Sequence, residues 1–175
     1  MAEPSGWKPV TFSAFVGIAL IAGVLAAVQG FSAQHWVPLL DSANLALHEA
    51  GHPMVGVFSD RLMVYGGTIF QMLFPILVIV HFKRERDAVG AAAGGVWLGQ
   101  NLLNIARYMA DAREQILPLV GGGEHDWTEI FTRWGVLSRD VRIAGFTRWL
   151  GYALMLYAVI WLWRRYKNQE ITETM

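Results

Sequence analysis

Long blocks without charge dominate the hydrophobic pattern, and each block predicts a helix. Thr11 to Gly30 carries no charged residue and is long enough, as a helix, to cross the roughly 30 Å hydrocarbon layer of a bilayer. Phe31 to Asp41 reads as a polar and aromatic connection, with Gln34, His35, Trp36 and Pro38 suited to a membrane interface. Asp41 or Ser42 is placed to cap a second helix that runs to about Phe58. Leu62 to Phe82 is again free of charge; Gly66-Gly67 permits close packing and Pro75 a kink. Lys83-Arg84-Glu85-Arg86-Asp87 ends that block sharply. Ala88 to about Ala112 predicts a fourth helix, small at first and more polar toward its end. Gly121-Gly122-Gly123 permits a chain reversal. Trp127, Ile130, Phe131, Trp134 and Leu137 follow as an apolar stripe of helical period, as expected of a short helix lying in the interface. A final span from about Ile143 to Trp163 stops at Arg164-Arg165-Tyr166-Lys167, and the polar tail beyond is expected to be mobile.

The fold class expected is therefore all-α: a polytopic membrane bundle of about five transmembrane helices plus a short interfacial helix. It forms a single integral membrane domain over residues 1–175, with its most informative core at about 41–140. The first apolar run is of full spanning length and lacks a basic cluster before it, so it reads as a span rather than a cleavable signal. Basic residues set the orientation. The Lys83/Arg84/Arg86 loop and the Arg164/Arg165/Lys167 end belong on the cytoplasmic side, and an odd number of helices then leaves the N-terminus outside. The long connection from Arg113 to Arg142 falls on the outer face.

Composition supports this reading. Hydrophobic residues make up 54 % of the 175, with eight tryptophans, too apolar a mixture for an ordinary soluble domain. Zero formal net charge leaves no basic footprint for nucleic acid. Cysteine is absent, which excludes disulfide scaffolds and thiolate metal sites; any metal must sit on nitrogen and oxygen.

One motif in the second helix carries chemistry. In His48-Glu49-Ala50-Gly51-His52 the imidazoles stand four residues apart, on one helix face, where both can reach a single metal ion. Glu49, beside His48, then stands near a water on that ion, whose pKa zinc lowers to about 7. The bland alternative is a helix with two histidines capped by neighbours and a glutamate facing water. Burying His, Glu and His together in lipid, however, needs a compensating partner.

A second polar stripe occupies the fourth helix. Gln100, Asn104, Arg107 and Asp111 share one face, flanked by Asn101 and Tyr108. Polar groups in a membrane helix face the bundle interior. Aimed at the histidine pair, Asp111 could complete a metal site, while Gln100 and Asn104 could bind a substrate backbone or orient the ligands. Alternatively, Arg107 and Asp111 pair at the helix end and hold helices together. His125, beside the glycine loop on the same outer side, is the alternative third ligand. Asp126 is a lesser one, because its spacing to Glu129 is that of a helix cap. His35 and His81 flank spans as interfacial anchors.

A His-Glu-x-x-His motif on a membrane helix, followed by an aspartate on a later helix, resembles the site-2-protease class of intramembrane zinc metalloproteases. Asn104 to Arg113, Leu117-Pro118-Leu119 and Gly121 to Trp127 resemble a bacterial branch related to it, and the resemblance covers about Asn44 to Leu137. It implies zinc held by His48 and His52, with Glu49 activating water for peptide-bond hydrolysis within a bacterial inner membrane. The expected partners are the lipid bilayer and a membrane-protein or peptide substrate. The chain departs from that class at the third ligand: the usual Asn-Pro-Asp-Gly or Leu-Asp-Gly is replaced by Ala110-Asp111-Ala112. A non-proteolytic scaffold with a closed structural zinc site of His48, His52, Asp111 and His125 is the alternative function. Metal transport is a third possibility, which the scarcity of ionisable groups on the first, third and fifth spans disfavours.

Overall fold

A computed structural model describes residues 6–32, 35–120 and 124–173. They form six α-helices and one 3-10 turn, with no strand among the described residues. In chain order these are α1 (Phe12–Phe31), α2 (Pro38–Gly56), α3 (Asp60–Arg84), α4 (Ala88–Ala110), α5 (Asp126–Arg133), the turn Leu137–Arg139 and α6 (Asp140–Glu173). The reversal expected at Gly121–Gly123 lies outside the described residues.

Local chemistry accounts for the boundaries. Thr11 starts α1 by accepting a hydrogen bond from the Ala14 amide at 3.2 Å. Pro38 begins α2 three residues before the expected cap, because its ring suits the first helical position and its missing N–H costs nothing there. Asp41 is thereby drawn inside the helix, where its carboxylate accepts from the Val37 amide at 2.6 Å. Asp87 caps α4 through the Gly90 amide at 2.9 Å. That bond holds its carboxyl below the usual range; slight burial opposes it and Lys8 assists.

Three helical segments are long and apolar enough to cross a membrane: Phe12–Phe31, Asp60–Arg84 and Leu137–Gln169. This is fewer than the five expected. The polar residues of α2 (Asp41, His48, Glu49, His52) and α4 (Gln100, Asn101, Asn104, Arg107) dilute their apolar content. Leu20, Ile21 and Val24 on α1, Leu77 on α3 and Trp149 and Leu156 on α6 stay exposed, the kind of surface that lipid contact covers.

α4 is the central helix, packed against α6 on one side and α3 on the other. Its contact with α6 is backbone-close: a Cβ on Gly99 would lie 2.8 Å from the Gly151 carbonyl oxygen, and the reverse holds for Gly151. α2 crosses α3 in the same manner where Gly51 meets Gly66, so the glycine inside the histidine motif is a packing requirement.

One expectation about the ends is corrected. The Val10 amide donates to Gln169 Oε1 at 2.8 Å, the Lys8 amide donates to the Arg86 carbonyl at 2.8 Å, and Arg165 lies over the Trp7 ring at 4.3 Å. The segment before α1 therefore shares one end of the bundle with both basic clusters, not the opposite end. α6 itself runs on to Glu173.

The α5 stripe is corrected too. Trp127, Ile130 and Phe131 are buried against Val64, Ile105, Met109 and Ala144, so α5 closes a second core rather than lying out in an interface. Arg113 donates to Asp140 at 2.8 Å, tying the end of α4 to the start of α6 over that core.

Candidate metal centre

α2 and α5 bring three donors together: His48, His52 and Asp126. The histidine spacing does what a helical turn dictates, with ring centroids 5.0 Å apart. His48 Nε2 lies 2.8 Å and His52 Nε2 3.3 Å from the same carboxylate oxygen, Oδ2 of Asp126. His48 and Asp126 are buried and His52 is partly so.

The far side of each ring decides what the near side offers. His48 Nδ1 faces the Gln71 amide oxygen at 3.2 Å, and His52 Nδ1 faces the Met63 carbonyl at 3.0 Å. Both partners only accept, so each Nδ1 carries the proton and donates it. Each Nε2 then faces the same carboxylate oxygen, to which it donates when it carries a proton and beside which it can hold a metal ion when it does not. Two imidazole nitrogens and a carboxylate oxygen converging on one point need a proton or a metal ion between them, and carbonyl-oriented imidazoles are the usual support of bound metal. Donors held about 2.0–2.1 Å from a tetrahedral ion stand about 3.3 Å apart. The His52 contact already matches, and the 2.8 Å His48 contact must open by about 0.5 Å. The group can hold a metal ion.

Asp126 is poised as an anion. Burial works against its charge, but hydrogen bonds from His48 and His52 outweigh burial and hold its carboxyl below the usual range. Its backbone amide donates to the Tyr108 hydroxyl at 3.2 Å. Behind the first donors, Gln71 donates to Asn104 Oδ1 at 2.8 Å, which fixes the amide oxygen toward His48.

Glu49 is half-buried and does not bond the trio. It borders two cavities, of about 340 and 360 Å³, that share Glu49, Tyr108, Leu119 and Val120. The first reaches His48 and has apolar walls from Leu45, Leu117 and Pro118, with Arg107 over the Trp36 ring at its rim. The second reaches His52 and Asp126 and is lined by Asp60, Glu124 and Glu129.

The other expected ligands are used differently. Asp111 accepts from the Ile116 and Leu117 amides at 2.9 and 3.1 Å, pinning the loop that follows α4. His125 Nε2 faces Asp111 at 3.4 Å, and its Nδ1 accepts from the Thr128 amide at 3.3 Å. His125 therefore caps α5, the duty expected of Asp126, and the aspartate is released to face the histidines. Gln100 lines neither cavity; it is buried between Asp41, to which it donates, and Asn44, from which it accepts at 2.8 Å. Asn104 does line the first cavity. His35 donates from Nδ1 to the Gln29 carbonyl at 2.5 Å, at the end of α1.

Gln71 and Gly67 were not singled out as functional in the sequence, although a lone glutamine inside a charge-free span was the available signal for the first. A Cβ on Gly67 would collide with the His48 ring, so that glycine makes the room the imidazole occupies. Gly67→Ala is expected to weaken metal binding at least 10-fold by tilting His48, and to cost about 1–3 kcal/mol by overpacking. Chelator competition and thermal unfolding would measure both. Gly17→Ala, inside α1 where a Cβ meets nothing within 4 Å, should leave metal binding unchanged and should not lower stability.

Comparison of the chain with protein-family models, with curated proteins and with solved structures gave no match.

Proposed function

We propose that this chain is a zinc-dependent peptidase acting on membrane-embedded polypeptides, with His48, His52 and Asp126 as ligands and Glu49 as the base. The observation that carries the proposal is the convergence of both Nε2 atoms on one carboxylate oxygen beside a cavity that Glu49 borders. Zinc is the ion of choice because two imidazoles and one carboxylate, with a position left open, are a known catalytic donor set. When bound there, it supplies Lewis acidity that polarises an amide carbonyl and makes water acidic near neutral pH. Glu49 takes the proton from the attacking water and returns it to the departing amine. Asn104 and the apolar walls hold the chain being cut. A closed structural zinc would need a fourth donor, and Asp111 and His125 face each other instead.

The two cavities suit a polypeptide that changes character at the cut: apolar residues in the first, polar or cationic ones in the second. A substrate helix must unwind first, since its amides are held in its own hydrogen bonds. The polar mouths lie at the end of the bundle opposite the Lys83/Arg84/Arg86 and Arg164/Arg165/Lys167 clusters, while Arg61, Arg107, Arg113 and Arg133 stand at the site's own end. With the two clusters on the cytoplasmic side of a bacterial inner membrane, α1, α3, α4 and α6 cross while α2, which does not reach those clusters, lies beside the site. Both termini are then cytoplasmic and the site opens outward.

The test uses purified full-length protein in non-chelating buffer. Stoichiometric zinc is expected, with cleavage of a reconstituted single-span polypeptide that stops on chelation and returns on adding zinc. A protein that takes up no zinc, or a loaded one that cuts nothing, would overturn the proposal.

A further inference from the structure

Peptide hydrolysis needs a donor for the charge that appears on the carbonyl oxygen, and this site contains one with an unused hydrogen. Four residues border both cavities: Glu49, Tyr108, Leu119 and Val120. Two are apolar, and Glu49 can only accept when ionised. Tyr108 alone combines this central position with a neutral donor.

Its placement is fixed from three sides. The hydroxyl oxygen accepts from the Asp126 amide at 3.2 Å, so it sits within one residue of the carboxylate that faces both histidines. The ring stacks on His125 with centroids 4.1 Å apart and meets the His48 ring edge-on at 5.8 Å. The oxygen's lone pair is thus occupied, while the O–H hydrogen meets no acceptor among the described residues. A phenol that accepts from the protein and has its own hydrogen to spare is oriented before substrate arrives, which is what electrostatic preorganisation requires.

We propose that Tyr108 is a catalytic residue whose hydroxyl donates a hydrogen bond to the oxyanion formed during amide hydrolysis, an inference that rests on the peptidase reading above. In the balanced step, water oxygen bonds to the carbonyl carbon, the carbonyl π pair moves onto its oxygen, and Glu49 takes the proton released by water. Tyr108 O–H donates to that oxygen without giving up its proton. The oxygen's pair then re-forms the carbonyl, the C–N bond breaks, and Glu49 delivers its proton to the leaving nitrogen. One amide and one water give one carboxylic acid and one amine.

The experiment compares wild-type and Tyr108→Phe full-length protein, both zinc-loaded, on one peptide and on its uncleavable phosphinic analogue, whose tetrahedral phosphinate oxygen imitates the oxyanion. The variant is expected to lose about 10²- to 10³-fold in kcat with KM within twofold. It should bind the phosphinic peptide at least 10-fold more weakly, at unchanged zinc content and melting temperature. Equal kcat and equal phosphinic affinity overturn the assignment of Tyr108 and leave the peptidase reading standing. A loss of zinc that accounts for the loss of turnover overturns it too, by making Tyr108 a support for Asp126. Zinc-loaded wild-type protein that cuts nothing fails the peptidase reading itself, and Tyr108 falls with it.

Discussion

Glu49→Gln will leave zinc content unchanged and lower kcat by about 10²- to 10⁴-fold, the range a positioned general base supplies. Zinc should stay because Glu49 is not one of the three converging donors, and the amide is nearly isosteric with the carboxylate, so the packing of α2 is undisturbed. Turnover should fall because the amide cannot accept the proton that leaves water. Metal quantification beside a timed cleavage assay separates these effects. Undiminished turnover would remove Glu49 from the reaction, and a parallel loss of zinc would make it a ligand. The substitution also reports on substrate placement, since Glu49 borders both cavities: KM is expected to change by no more than a fewfold, because Leu45, Leu117, Pro118, Leu119 and Val120 still wall the first cavity.

The helices were legible because their signal is local. Charge-free runs, Thr11 before α1 and the charged cluster after α3 set boundaries within a few residues of those observed. The histidine pair was legible for the same reason, since residues four apart on a helix share a face wherever the helix lies. What failed to be legible depends on partners. The apolar stripe Trp127, Ile130, Phe131 announces that one face of α5 is covered, but not whether lipid or protein covers it; Val64, Ile105 and Ala144 turn out to do so. The side of the N-terminus rested on counting crossings, and α2 looks like a crossing in sequence. It has the length of one, but Asp41, which Gln29 and Gln100 bury at its first turn, and the histidine motif leave it outside the three helices apolar enough to cross. Gln71 was hidden because its role exists only once α3 lies against His48.

The third ligand shows most sharply how neighbours compete for one duty. His125 and Asp126 can each cap α5, and spacing to Glu129 favoured the aspartate. In the structure the imidazole takes the cap and itself stacks on Tyr108, which a carboxylate could not do. Asp126→Ala should therefore lose zinc. A structural zinc site binds with about 10–16 kcal/mol shared among four ligands, so each ligand is worth roughly 3–4 kcal/mol, and the affinity should fall by about 10²- to 10³-fold. Asp111→Ala should stay within about 10- to 100-fold of wild type, since it acts through the 116–117 loop and His125 rather than on the ion. His125→Ala should cost about 0.5–2 kcal/mol of stability through the lost cap and weaken zinc in proportion to the fraying of α5. Competition against a chelating dye orders the three variants. If Asp111→Ala empties the site while Asp126→Ala keeps it filled, the ion is held at the end of α4, and the convergence of His48, His52 and Asp126 is a proton-bridged packing contact instead.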